Sequence, residues 1–335
     1  MSTTPKRRAN RAVAPALAVT LLVLAGCSST GAAVGEATSE PGDPRAPEVT
    51  NLTIAGYANA SASPVMAAIE LGIPEEYGVT IDYQPGDSAP AMFAQVVSGD
   101  VQVAQASAFY TIPAIEQGAD VLIAGEVVRG MPDTHTVEAL PNSGIVDVAD
   151  LEGRRVAVVS LHSAQEARIV SAMISAGADP STVEFVALGW NEMPAALEQG
   201  NVDAIATTGP ARTQARSELG THAVLDLAAG EFEEFPDSQW VVNATWAKKN
   251  PNALAAFQCS LVVRGQEAVM EDQQIYEAAL REIGFSDESI ASDVRLIYPA
   301  ANDPATVIAD MLVQVGWTDE VFDIESLTLP MPTNC

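Results

Sequence analysis

Small hydroxyl and amide side chains recur at four places in the 335-residue chain where a strand-like run gives way to a helix-like one. These loops carry Asn59, Ser61 and Ser63; Ala106 and Ser107; Ser160, His162 and Ser163; and Thr208 with Gly209. Such groups donate and accept hydrogen bonds without filling the space above a strand end. Helix N-termini there add unpaired N–H groups and a partial positive charge. Open α/β sheets hold ligands at the carboxyl ends of their strands. The pattern therefore suits capture of a small anionic or polar organic molecule. At minimum, Ser107 and Ser163 cap helices, at about 1 kcal/mol each. His162 could contact ligand or simply face solvent. Trp190, after Gly189, could stack on a planar ligand or belong to a core. Trp240 could line a cleft or pack beneath it. Arg129 and Arg212 are candidates for an anion, because a guanidinium fork matches carboxylate or sulfonate; each could equally be a solvated surface residue. Glu192 precedes a helix-like run, where a carboxylate suits the N-terminal dipole better than it marks cation binding.

The chemistry these residues support is binding. His135, His162 and His222 are scattered, with no HxxxH or CxxC pair. No GxxxxGK[ST] phosphate loop occurs in the sequence. Catalysis would need a nucleophile with its base, or a metal cluster. The expectation is a protein that is not an enzyme, with no cofactor and no metal site. Lys and Arg number 16 against 44 Asp and Glu, for a net charge of −28. That balance argues against nucleic acid, which demands clustered cations. Yet hydrophobic residues make up 48% and charged residues 18%, enough apolar matter for a globular core.

The N-terminus reads as a targeting segment. Lys6, Arg7, Arg8 and Arg11 precede an apolar run over residues 12–25 that is shorter than a membrane span. The run ends Leu24-Ala25-Gly26-Cys27 and resembles the lipobox of bacterial lipoproteins, in which the cysteine is lipidated and becomes the first residue. The expected division is a signal peptide over 1–26, then the lipidated Cys27 and a flexible Ser/Thr/Gly/Ala/Pro-rich tether over 27–48. Cleavage removes four basic residues and no acidic one, taking the charge from −28 to −32. The alternative is an ordinary secreted protein. With Cys27 lipidated, Cys259 and Cys335 remain; outside the cell they are expected to form a disulfide, or else stand as unrelated thiols.

The elements that position the loops alternate. Strand-like stretches at 52–57, 79–83, 101–104 and 121–124 are separated by helix-like stretches at 64–71, 90–97 and 107–117. A second cycle follows, with strands at 155–159, 183–186, 204–207 and 224–227. Ser163-x-x-Glu166 matches a capping box opening a helix to about 176. The last third is mainly helical, over 251–270, 273–284 and 304–316. Alternation of this kind predicts α/β lobes with largely parallel sheets.

Several strings then speak together. Ile54-Ala55-Gly56-Tyr57 with Asn59, Ser63-Pro64-Val65, and Gly72-Ile73-Pro74-Glu75-Glu76-Tyr77-Gly78-Val79 resemble the start of a solute-binding protein. Ser98-Gly99-Asp100-Val101, its echo Gln199-Gly200-Asn201-Val202-Asp203, and Asp150-Leu151-Glu152-Gly153-Arg154-Arg155-Val156 resemble further steps of the same family. That family is the substrate-binding component of ABC importers, in the nitrate/sulfonate/taurine/thiamine-precursor group. The resemblance covers residues 51–227 well and the helical remainder loosely. It implies a type II periplasmic-binding-protein fold: two α/β lobes joined by two crossover strands, near 135–141 and 239–245. Lobe one would comprise 49–136 plus 244–335, and lobe two 137–243. It implies that the four loops hold a small-molecule ligand, delivered by a lipid-anchored, extracytoplasmic monomer to a permease with its ATPase. The cysteine-rich signature of thiamine-precursor binders is absent. A ligand-sensing or scaffolding lipoprotein would look alike at this level.

Overall fold

Ten strands fall into two five-stranded sheets in this computed structural model, which describes residues 40–335 except 87, 234, 293–294 and 302–305. The signal-like segment, Cys27 and most of the tether lie outside the described residues. In the first sheet β1 (Asn51–Gly56) lies between β2 (Thr80–Pro85) and β3 (Val103–Ala106), parallel to both. Beyond β3 come β10 (Pro236–Asn243) and then β4 (Val121–Arg129), and β10 runs antiparallel to both neighbours. In the second sheet β6 (Arg155–Val158) is parallel to β7 (Glu184–Ala187) and β8 (Ala204–Thr208). Beside β8 lies β5 (His135–Ala139), antiparallel to it and to β9 (His222–Asp226). Parallel neighbours need helical crossovers, and these supply the strand-to-helix loops. Each sheet has its own core: Leu52, Ile54, Phe109 and Phe257 in the first, Val137, Val156, Val158 and Met173 in the second.

The two-lobe, two-crossing architecture is therefore present, but the crossings sit earlier than the sequence reading put them. The stretch at 135–141, expected as a crossover, opens with β5, a full member of the second sheet. The stretch at 239–245 begins inside β10, which belongs whole to the first sheet. The chain thus crosses between Arg129 and His135 and returns between Asp226 and Pro236. Each lobe lends the other no strand; each receives one antiparallel strand from the chain that has just crossed. The crossings run in contact: a Cβ on Gly130 would lie 2.8 Å from the Ala228 Cβ, so only glycine fits there.

β4 is the last strand of its sheet, yet its residues are buried from Val121 to Val128. The C-terminal third covers its free edge. Gln258 donates to the Ala124 carbonyl at 2.9 Å, and Gln266 to the Glu126 carbonyl at 2.7 Å. Leu329 N–H bonds Ile123 O at 2.8 Å, and Arg129 pairs with Ile297. An unpaired buried edge would cost a hydrogen bond at each group, so this cover is a requirement of the sheet. The expected helix over 251–270 is interrupted by a π-helical stretch, Gln258–Gly265. There Gly265 packs on the helix Ser63–Glu70, where a Cβ would come within 2.7 Å of the Pro64 carbonyl oxygen. Among the described residues no helix is long and apolar enough to cross a membrane.

Cys259, fully buried in this segment, is disulfide-bonded to Cys335 across 76 residues of chain. Tyr77 donates its hydroxyl to the Cys335 carbonyl at 2.7 Å, fixing the C-terminus on the first lobe. Replacing both cysteines by alanine frees the unfolded chain of a long closed loop. Urea unfolding is expected to register a loss of about 2–4 kcal/mol, with the far-UV circular dichroism of the folded protein unchanged.

Candidate functional site

The carboxyl ends of β1, β3, β6 and β8 face a cavity of about 580 Å³ lined from both sheets. Asn59, Ser61, Ser107, Ser160, His162, Ser163, Trp190, Thr208 and Gly209 all lie on its wall. Ser63, Ala106 and Trp240 do not, and each is corrected for a physical reason. Ser63 is fully buried and donates to the Tyr298 hydroxyl at 2.9 Å, below the wall. Ala106 ends β3 with its methyl group in the core. Trp240 follows β10 into the first sheet and packs edge-on against Phe257 with ring centres 5.9 Å apart.

On the first-lobe side the polar wall is knitted by Gln105, which precedes Ala106 in the second loop and was not among the ligand contacts expected from the sequence. Its amide donates to Ser61 Oγ at 3.0 Å and to Ser238 Oγ at 2.9 Å, and its oxygen accepts from Tyr57 N–H at 3.2 Å. Asn59 Oδ1 accepts from Ser61 N–H at 2.9 Å and Ser61 Oγ at 2.6 Å, closing the turn. Ser107 does not cap its helix, contrary to expectation. Gln239 from β10 takes that role, accepting from Ala108 N–H at 2.7 Å. The Ser107 hydroxyl is left buried on the wall without a hydrogen-bond partner among the described residues. A polar residue inside an otherwise apolar strand run, Gln105 between Ala104 and Ala106, was the available signal for this network.

The second-lobe side is arranged around the start of the helix Ala164–Ser175. Ser163 Oγ accepts from Glu166 N–H at 3.4 Å, but Glu166 reaches His162 N–H at 2.7 Å, so the capping box closes one residue early. His162 is held at φ 55°, an uncommon left-handed conformation for a residue with a Cβ. Its ring lies 5.1 Å from that of Trp317, in the C-terminal part of the chain. Glu192, expected from the sequence to favour a helix N-terminal dipole, accepts from Gly189 N–H at 3.0 Å. Next to it, the Trp190 indole N–H is buried on the wall without an acceptor. Thr208 donates to the Thr134 carbonyl at 2.8 Å, tying the fourth loop to the first crossing.

Charges gather where the crossings meet the cavity. Arg168, missed in the sequence because it sits mid-helix between Ala167 and Ile169, is 2% exposed. It pairs with Asp237 of β10, donates to the Leu227 carbonyl, and lies 5.0 Å above the Phe235 ring. Arg212 sits 3.3 Å from the Asp133 carboxylate. Arg129 is off the wall, with both fork nitrogens on Glu126 at 2.6 and 2.8 Å. His135 Nδ1 is 3.8 Å from Asp237 Oδ2. Burial, then the charges of Arg168 and Arg212, hold its pKa down to about 3, so it is neutral. Among the described residues no group of three His, Cys, Asp or Glu gathers as a metal site.

Residues 59–275 match the family model described as NMT1/THI5 like. The chain belongs to the NMT1/THI5-like family. A relative, the taurine-binding periplasmic protein of Escherichia coli (strain K12), is 26% identical over 216 residues. That alignment covers 64% of this chain and 65% of the relative, less than two-thirds of the latter's length. The periplasmic aliphatic sulphonate binding protein SsuA from Escherichia coli superposes with a TM-score of 0.68 at 21% identity, covering 85% of this chain and 94% of that one. The periplasmic nitrate-binding protein NrtA from Synechocystis PCC 6803 gives 0.65 at 15%, covering 84% and 85%. The NMT1/THI5-like chain thus has the type II periplasmic-binding-protein fold, with its cavity at the place where the two sheets face one another.

The neutral His135 makes this NMT1/THI5-like protein acid-sensitive. Its folded pKa is depressed below the unfolded value near 6.5, so its contribution is intact above that pH. It is lost as pH falls toward 3, because the unfolded chain binds the proton first. His135→Gln is expected to flatten the loss of stability between pH 6.5 and 4.5 by up to about 1.4 kcal/mol per pH unit, read from urea midpoints at each pH.

Proposed function

We propose that the protein is the extracytoplasmic solute-binding component of an ABC importer. It closes its lobes on a small polar organic ligand and presents that ligand to a permease with its ATPase. The carrying observation is the interlobe cavity, whose wall holds a buried hydroxyl and a buried indole N–H with no hydrogen-bond partner among the described residues. Polar groups placed in this way are positioned to bond a guest. Hinge closure about two crossings is a known way to bring such groups to a guest from both sides. The ligands for which the relatives are named, taurine, aliphatic sulphonate and nitrate, are small polar solutes and support this reading. The same reading makes the chain a monomer held to the outer face of the cell membrane by acyl chains at Cys27, with the tether giving it reach.

Two outcomes test this. Ligand binding should raise the melting temperature and shrink the small-angle scattering radius of gyration. Ser107→Trp should fill the cavity and abolish that binding while leaving the ligand-free melting temperature within a few degrees. Retained affinity would remove Ser107 from the site. For the anchor, Cys27→Ser should move the protein from the membrane fraction to the soluble fraction, with loss of the acyl mass. Unchanged membrane association would refute lipidation there.

A further inference from the structure

We infer that residues 42–48 are a clip that docks the membrane-anchoring arm on the first lobe, at the pole opposite the cavity, and that the clip shields Arg45 of that arm from proteolytic shedding. The inference goes beyond the solute-binding reading and rests on the lipid anchor at Cys27.

Hydrogen bonds fasten these last residues of the expected tether to the fold. Asp43 N–H donates to Asn252 Oδ1 at 2.8 Å, and the Asn252 amide donates back to the Ala46 carbonyl at 2.9 Å. One oxygen of Glu48 accepts from Asn252 N–H at 3.2 Å, and the other from Ala253 N–H at 2.9 Å. Those N–H groups open the helical run that begins at Pro251, where the helix itself offers them no acceptor. A carboxylate there satisfies both and suits the helix dipole. Inside the clip Asp43 closes a turn: Arg45 N–H donates to its Oδ1 at 3.0 Å, and Ala46 N–H to its carbonyl at 3.2 Å.

The packing agrees. Pro44 is buried, and Pro47 lies against Gly78. The Arg45 guanidinium stands 5.5 Å from the centre of the Tyr77 ring, whose hydroxyl bonds the Cys335 carbonyl. The arm and the C-terminus thus meet at one buried side chain. Gly42 is so close to the start of the helix that a Cβ on it would come within 2.5 Å of the Pro251 carbonyl. A loose tether would place no such demand on any of its residues.

Topology puts the clip far from the cavity. The arm leads straight into β1, and β1 carries the chain up to the cavity loop at 57–61. Six residues of strand set the clip roughly 20 Å from that loop. The helix that receives it starts at the same end, because Asn243, which closes β10 shortly before, pairs with Val121 at the start of β4. The anchor therefore holds the first lobe by its far pole, clear of the cavity. With the clip closed, the link from Cys27 ends at Gly42 and spans at most about 50 Å; with it open, the link runs on to Asn51 and gains about 30 Å.

Arg45 is the one Lys or Arg between Arg11 and Arg129, so a protease that cuts after basic residues has a single place to sever the arm. Its side chain is exposed, and the shielding comes from the backbone. The N–H groups of Arg45 and Ala46 and the Ala46 carbonyl are all bonded within the clip. A protease must draw this stretch out into its own cleft. Cutting therefore waits on opening, and its rate follows the open fraction.

Trypsin tests this on membrane vesicles that carry the full chain on their outer face. The readouts are the rate at which the protein is released and the mass of its new N-terminus. The native chain is expected to be released slowly. Gly42→Ala, which blocks docking, and Asn252→Ala, which removes two of the bonds, should each be released roughly tenfold faster as a product beginning at Ala46. Both variants should melt within a few degrees of the native chain. Release of both variants at the native rate would overturn the clip. Faster release accompanied by equally faster cutting at Arg129 and Arg154 would also overturn it, because the whole fold would then be loosened. If the chain is not membrane-bound at the outset, lipidation at Cys27 falls; the rate of appearance of the product beginning at Ala46, read on the soluble chain, then still decides the clip.

Discussion

A guanidinium buried between the lobes sets the terms for everything around it. Arg168 projects from the second-lobe helix Ala164–Ser175 and pairs with Asp237, on the first-lobe strand β10. Its other partners, the Leu227 carbonyl and the Phe235 ring, lie on the returning crossing. Removing one member of such a pair strands the other in a poorly solvated place, at about 3–5 kcal/mol. The helix, the crossing and β10 are therefore held together at this point. The contacts continue outward as rings: Phe235 stacks on Phe109 at 5.9 Å, Phe109 meets Trp317 edge-on at 6.2 Å, and Trp317 faces His162 at 5.1 Å. One end of this series of contacts is the ion pair, and the other is a ring contact beside the cavity.

The insertion of β10 also explains why the C-terminal third is needed. Because β10 inserts between β3 and β4, β4 is pushed to the sheet edge while its residues stay buried. Gln258, Gln266, Ala301 and Leu329 then bond its outward backbone groups. Trp317, which meets His162, belongs to the same covering segment. Edge protection and interlobe contact are thus one structure, and the Cys259–Cys335 bond fixes its end to the lobe it covers.

What was legible in the sequence follows from the range of the forces involved. The alternation of strands and helices is local, as is the Ser163 cap, and both could be read from neighbouring residues. Loops at strand ends were found because the rule behind them is topological and general. The antiparallel insertions of β5 and β10 were read as linkers, since no short stretch announces that its partner lies 70 or more residues away, as His135 pairs Thr208. Ser107 shows the limit most clearly. Its position on the wall was legible, while its capping role went to Gln239, a residue 131 positions beyond the Ala108 N–H it bonds. Gln105 and Arg168 were visible as polar residues on apolar faces, but their importance depends on Ser238 and Asp237, which only the fold brings near.

The acidity of the chain sets a condition on its cavity. With 44 acidic residues against 16 basic ones, the molecule's field opposes the approach of anions. Recognition therefore falls to groups on the wall itself. Arg168 stands there beside Asp237, and Arg212 lies 3.3 Å from Asp133. The Arg168 Nε, the Trp190 indole N–H and the Ser107 hydroxyl are buried there without a hydrogen-bond partner among the described residues. Such donors act at hydrogen-bond range, while salt screens the field of the exterior over about 10 Å. The exterior can therefore serve solubility while the interior serves recognition.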